Sequence, residues 1–314
     1  MLNSYDFWES QGEGDYRKLS FKDVLFVHYR CPQKEQYFAT YTHLNFFLYV
    51  VSGAKVFHQS GYSYPLRQGT CAFIRKGGFR QERFFDEDWQ VMAFFVPDSY
   101  LQALIAEYQG VLPPQRALAG RGALSGKDAL PAREALPPQD DDPAGEDPVI
   151  PLHVTELGRA FFESMVPYFF RAENVPESLV EIKFRELVCQ LLSDPQNQSL
   201  LSYLRKLDDK QFSLRDVMEA NYRFNLSLAE FARIANRSLS TFKRDFLALY
   251  KVPPGKWLLN KRLDHAEVLL TRSDKPVAEI ADECGFENQT HFQRVFKVRF
   301  GTTPLQYRKQ ELHR

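Results

Sequence analysis

Cysteine is scarce: Cys31, Cys71, Cys189 and Cys284 are scattered over 314 residues, with no Cys-x-x-Cys pair and no Cys/His cluster. This spacing indicates neither a zinc site nor a disulfide framework, and the thiols read as buried and free in a reducing compartment. Closely spaced histidines are also missing. His43 is followed two residues later by Asn45, and His28 and His58 lie far off. A catalytic metal needs several ligands on one face, which strand residues at i and i+2 would begin to supply. No metal, no cofactor and no catalytic residue is therefore expected. Long apolar runs are absent too. The longest, Phe46 to Val51, is strand-sized, against the roughly 20 residues a membrane span needs. The stretch from Met1 to Gly14 is polar and acidic, without a basic segment leading into an apolar one, so no signal peptide is expected and the location is cytoplasmic.

Net charge is the last absence, with 40 Lys and Arg against 40 Asp and Glu. The balance hides an asymmetry. From Leu201 onward basic residues exceed acidic ones by 7, and the remainder is acidic by the same margin. A basic C-terminal part suits a polyanion, and an acidic N-terminal part suits a separate task. The length suggests two domains.

From Phe21 to about Pro97 the chain reads as β: Val24–Tyr29, His43–Val51, Ala54–His58, Ser63–Leu66, Thr70–Ile74 and Trp89–Val96. The runs are short, aromatic and β-branched. Ser52-Gly53, Ser60-Gly61, Gln68-Gly69 and Gly77-Gly78 serve as turn signals. A sandwich, jelly roll or barrel follows. The runs Leu48–Gly53, Leu66–Thr70 and Phe73–Gly77 look like a cupin-type sensor domain. Tyr37, His43, Phe47, Tyr49 and Arg75 are candidates to line a small-ligand site in its interior, with core packing as the alternative for the aromatics.

A short helix is expected from Ser99 to Tyr108, then a Pro/Asp-rich stretch from Gly110 to Pro151 that reads as a flexible insertion or linker. Two helices follow. Leu157, Phe161, Met165 and Phe169 recur at four-residue spacing, with Pro167 kinking or ending the first; Glu177–Leu192 is apolar over more than one stripe. The wider surface fits either intramolecular core or a second copy of the chain. Residues 199–210 read as a polar connection.

The last hundred residues state one pattern twice. Ala229-Glu230-Phe231-Ala232 matches Ala278-Glu279-Ile280-Ala281 at an offset of 49. Phe242, Phe246, Tyr250, Pro254 and Trp257 match Phe292, Phe296, Phe300, Pro304 and Tyr307 at an offset of 50. A repeat of this kind means two copies of one supersecondary unit. In each, a short helix, a tight turn and a second helix capped by Ser238 or Asn288 make a helix-turn-helix, and Pro254–Leu270 forms one long helix between them. Opposite the aromatic face lie Ser240, Thr241, Lys243 and Arg244 in the first copy. Gln289, Thr290, His291, Gln293, Arg294 and Lys297 occupy that face in the second. Arg can bond guanine bidentately, Gln can bond adenine, Thr can meet a thymine methyl, and Lys suits phosphate.

The segments Lys261–Leu270, Pro276–Ala281, Cys284–Lys297 and Phe300–Pro304 resemble the signature of AraC/XylS-family transcription regulators. The resemblance covers about the last hundred residues. It implies seven helices with two helix-turn-helix units, and base-contacting positions at Ser240, Thr241, Lys243, Arg244, Gln289, Thr290, His291 and Arg294. Glu181–Val188 resembles members related to type III secretion activators, some of them governed by protein anti-activators. The expected architecture is thus α+β in two domains. A cupin-like β-barrel or jelly roll (1–109), an insertion (110–151) and dimerisation or covering helices (152–198) precede a linker (199–210) and an all-α DNA-binding domain (211–314). The expected function is sequence-specific binding of double-stranded promoter DNA by a homodimeric regulator, an activator by preference, that works with RNA polymerase. It answers to a small-molecule effector or a regulatory protein. The rival readings are a cupin-type metalloenzyme with an appended DNA-binding domain and a methyl-accepting repair protein, which the missing His pair and the scattered cysteines oppose.

Overall fold

The computed structural model describes residues 1–11, 16–31, 34–59, 62–84, 88–108, 134–135, 147–170, 175–207 and 210–311. They fall into two compact units, Leu2–Ser213 and Leu214–Arg314. Of the expected insertion at 110–151, all but 134–135 and 147–151 lies outside the described residues.

The first unit begins with β1 (Leu2–Asn3), α1 (Ser4–Ser10), β2 (Tyr16–Phe21), β3 (Val24–Arg30), β4 (Tyr37–Thr42), β5 (Asn45–Ser52) and β6 (Ala54–Gln59). It continues with β7 (Tyr62–Arg67), β8 (Cys71–Ile74), β9 (Gly77–Arg83), β10 (Gln90–Val96), α2 (Asp98–Tyr108), β11 (Glu134–Ala135) and β12 (Val149–Leu152). Helices α3 (Glu156–Phe170), α4 (Glu177–Ser193) and α5 (Gln198–Arg205) close it. The strands make two six-stranded sheets, ordered β1-β4-β9-β6-β7-β11 and β12-β8-β5-β10-β3-β2. Gly77-Gly78, read in sequence as a turn, instead opens β9, pairing with Thr42 and Tyr41. Charged Arg80, Glu82 and Arg83 obscure the alternation of that strand.

Strand parity decides what lies where. On β5, Phe46, Leu48 and Val50 enter the core between the sheets, whereas Phe47 and Tyr49 face the helices. On β10, Val91, Ala93 and Phe95 go to the first core, and Met92, Phe94 and Val96 to the second. The second sheet is therefore buried on both faces, which is why its strands read as nearly continuous apolar runs. The other sheet buries Phe57, Tyr64, Leu66 and Phe79 on one face only.

The helices complete that second core. Phe161, Met165 and Phe169 of α3 are buried, but Leu157, expected on the same stripe, is 72% exposed. Pro167 does not end α3, which runs on to Phe170. Helix α4 buries Val180, Phe184, Leu187, Val188, Leu191 and Leu192 and leaves Ile182 at 59% exposure. The segment expected as a polar connection at 199–210 instead carries most of α5, whose Leu200, Leu201 and Leu204 are buried in the same core. Tyr203 of α5 also donates to Asn45 Oδ1 (3.2 Å). Asn45 donates in turn to Asp98 (2.6 Å), which pairs with Lys76 (2.6 Å) in a largely buried network.

The described residues of the second unit form seven helices: α6 (Lys210–Asn221, entering from the unit boundary), α7 (Leu228–Ile234), α8 (Leu239–Tyr250), α9 (Pro254–Arg272), α10 (Val277–Glu283), α11 (Gln289–Phe300) and α12 (Pro304–Glu311). The aromatic repeat becomes two equivalent stacks. Phe246 lies 4.4 Å from Tyr250, which lies 5.2 Å from Trp257; Phe296 lies 4.4 Å from Phe300, which lies 5.5 Å from Tyr307. Each stack seats the second helix of its helix-turn-helix on the helix that follows. Phe242, Phe246, Phe292 and Phe296 are fully buried.

Candidate nucleic-acid interface

Side-chain caps set the starts of α7, α8 and α11. Ser227 and Glu230 form a reciprocal capping box at α7. At α8, Ser238 Oγ accepts from the Thr241 amide (3.2 Å). At α11, Asn288 Oδ1 accepts from the His291 amide (2.9 Å). Each cap satisfies an amide that would otherwise lack a partner. The helices also end alike, with Lys251 (φ 58°) and Gly301 (φ 80°) in the left-handed region.

The outward faces are as the residue types require. Ser240, Lys243 and Arg244 of α8 are exposed, with Thr241 half-buried beside them. Gln289, Thr290, His291 and Arg294 of α11 are all exposed, as are Gln293 and Lys297. Several of these groups are already held in place. Ser238 Oγ lies 3.0 Å from Ser240 Oγ and 2.9 Å from Thr241 Oγ1. Arg244 donates from Nε and Nη2 to Asp245 Oδ1 (3.3 Å each), and Arg237 in the turn donates to Asp245 Oδ2 (3.1 Å). Arg294 Nη2 lies 3.2 Å from His291 Nδ1. Two apolar side chains share these helices, Leu247 at 49% and Val298 at 83% exposure. Val298 follows Arg294 by one turn, on the same side.

Helix α9 holds α11 and α12 from behind. Arg299 of α11 donates to Asn260 (2.9 Å) and pairs with Asp264. Tyr307 of α12 donates to Glu267 (2.6 Å). Arg262 of α9 donates from Nε to the Tyr222 carbonyl and from Nη2 to the Phe224 carbonyl (both 2.7 Å). Burial pulls its guanidinium down to about 10, so it stays cationic at neutral pH. His265 is 9% exposed and packs edge-on against Tyr222 (5.9 Å). Burial first, then nearby Arg223, Lys275 and Lys261, pulls its imidazole down to about 3.

Asp245 and Arg262, which hold these side chains and loops in place, were not among the candidate residues read from the sequence. Asp245 is simply acidic on a basic face. Arg262 is a charge inside an apolar stripe, which is the one local signal available for it.

The candidate ligand residues of the first unit are not brought together. Tyr37 is 61% exposed and donates to Glu82 (2.8 Å). His43 Nδ1 lies 3.2 Å from Asn3 Nδ2. Phe47 is fully buried against Phe73 and Phe184, and Tyr49 stacks on Phe162 at 3.9 Å, both on the helix side of the sheet. The Arg75 guanidinium sits 4.7 Å over Tyr203. The space between the sheets is taken by Trp8, Leu48, Phe57, Leu66, Phe79 and their neighbours. Among the described residues no group of three or more His, Cys, Asp and Glu is placed to hold a metal ion. None of the described helices is long and apolar enough to cross a membrane.

The chain resembles known proteins over both units. A helix-turn-helix domain model matches residues 231–310. The model of the ExsA N-terminal regulatory domain matches residues 45–125 and 126–203, just over half the chain. The thermoregulatory protein LcrF of Yersinia pestis is 26% identical over 263 residues, covering 83% of this chain and 88% of its own. The HTH-type transcriptional regulator ExsA of Pseudomonas aeruginosa is 35% identical over 135 residues, covering 43% of this chain and 49% of its own. The solved structure of ToxT from Vibrio cholerae is 14% identical with a TM-score of 0.37, covering 91% of this chain and 98% of that one. The chain belongs to the AraC/XylS family of DNA-binding transcription regulators, and its N-terminal half is a regulatory domain of the ExsA type.

Proposed function

We propose that α8 and α11 enter the major groove of promoter DNA and read two different short stretches. Ser240, Thr241, Lys243 and Arg244 serve the first stretch; Gln289, Thr290, His291 and Arg294 serve the second. The observation that carries this is the duplicated frame with unlike outer faces: equivalent caps and aromatic stacks, but a Ser/Thr/Lys/Arg surface on one helix and a Gln/Thr/His/Arg surface on the other. Bidentate Arg contacts select guanine, and the exposed Val298 and Leu247 side chains suit thymine methyl groups. The protein acts in the cytoplasm as an activator working with RNA polymerase; a relative from Yersinia enterocolitica is named a virulence regulon transcriptional activator. Homodimerisation runs through α3 and α4, where Leu157 and Ile182 stand exposed.

Control by a protein partner is favoured over a small effector, because side chains fill the space between the sheets and the five candidate ligand residues are dispersed. Thermal-shift screening of small molecules beside pull-down of partners on the first unit separates the two. The DNA reading is tested by selecting bound sequences from a random duplex pool with the wild-type chain and with Arg294→Ala. Loss of one base preference, with nonspecific binding retained, is expected; an unchanged selected sequence refutes the assignment.

A further inference from the structure

We infer that Arg262, Gly285 and the Asn225–Glu287 pair form a joint between the two helix-turn-helix units, and that this joint fixes the number of base pairs between the stretches they read. The inference rests on the assignment of α8 and α11 as DNA readers. Helix α9 is one part of that relation: it seats α8 against Trp257 and α11 through Arg299 to Asn260 and Asp264. Those contacts tie each reader to α9 and not the two units to each other.

Three further contacts tie the two units together. Arg262 grips the loop before α7 by two carbonyls, Tyr222 and Phe224. The turn of the second unit rests on the same place: a Cβ at Gly285 would lie 2.7 Å from the Arg223 carbonyl oxygen and 3.2 Å from Arg262 Cζ. Gly285 is thus required twice, by its φ of +80° and by the closeness of the other unit's backbone. Beside it, Asn225 Nδ2 donates to Glu287 Oε1. An open groove of about 310 Å³ runs beside it, lined by Leu258, Leu259, Phe286 and His291 among others. Arg262 is suited to the task because its planar fork reaches two carbonyls at once, which an ammonium on a flexible stem cannot match.

One added base pair turns the second stretch by roughly 35° about the duplex axis, since about 10–10.5 pairs make a turn. A stiff joint cannot follow that rotation, and a loosened one can. The test uses the full chain and the duplex it selects from a random pool, remade with one base pair added or removed between the two protected blocks. The wild type is expected to lose about tenfold in affinity on either change, comparable to a mismatched pair. For Arg262→Lys, Gly285→Ala and Asn225→Ala that penalty is expected to fall to about threefold or less, with base preference inside each block unchanged. Asn225→Ala removes only the side-chain partner of Glu287 and leaves the backbone as it is, so it keeps the test open if Gly285→Ala does not fold. Variants that retain the full spacing penalty, or that lose affinity equally at every spacing, overturn the inference. Arg294→Ala in the same series separates the two proposals: an unaltered base preference there refutes the DNA reading itself, whatever the joint variants do.

Discussion

Mild acid should loosen the C-terminal unit through one residue, His265. The imidazole is 9% exposed, its Nε2 has no hydrogen-bond partner, and three cations lie near enough to disfavour a fourth charge. The fold holds it near 3, from an ordinary value of 6.5. A histidine lowered on folding adds stability that is fully present above the unfolded value and is lost as pH falls. Between 6.5 and about 3 the unfolded chain binds a proton that the native chain refuses. Stability then falls by about 1.4 kcal/mol per pH unit, or about 2.7 kcal/mol at pH 4.5. That is a large share of the total for a single domain. Other groups titrate in the same range, so the informative quantity is the difference between the wild type and His265→Leu. Leucine removes the proton site and the unpaired nitrogen while keeping most of the buried volume. Native-state amide exchange of α9, corrected for intrinsic rates, gives its opening free energy across pH 7 to 4.5. The wild type should lose stability against the variant by about 1.4 kcal/mol for each unit below 6.5. A difference that stays constant over the range refutes the reasoning.

Lys76→Met should strand the Asp98 carboxylate in a network where Lys76 and Asp98 side chains are only 7% and 11% exposed. A loss of about 3–5 kcal/mol is expected on breaking such a pair, read by urea titration of the first unit. Ser238→Ala removes the cap of α8 at an exposed position and should cost about 1 kcal/mol, a drop of roughly 4–8 °C in the melting temperature of the C-terminal unit. It should also weaken DNA binding, because Ser240 and Thr241 lose the hydroxyl they bond to.

The C-terminal unit was legible because each structural need is met locally. Phe242, Phe246 and Tyr250 recur at helical spacing, Ser227 and Ser238 mark helix starts, and duplication repeats the message fifty residues on. The first unit was legible as β but not as faces. Shifting a strand by one position inverts every side chain, and nothing in the run from His43 to Val51 says whether odd or even positions face the space between the sheets. Phe47 and Tyr49, both odd, turned out to face the helices. Helix α5 was missed because Ser199, Ser202 and Lys206 gave its short sequence a polar look while Leu200, Leu201 and Leu204 made the buried stripe. The joint at Arg262 was out of reach for another reason. Its partners at 222–225 and 285–287 are distant in the chain, and a backbone carbonyl leaves no trace in residue type.

The sheet that is covered on both faces has a practical consequence for anyone dividing the protein. Cutting after α2 would bare an apolar plane built from Phe26, Phe47, Phe73 and Phe94, which α3, α4 and α5 now roof with Phe162, Phe184 and Leu201. Such a fragment would be sticky, not regulatory, and any partner it captured would be a poor guide to biology. The compact unit that includes this roof runs from Leu2 to Ser213.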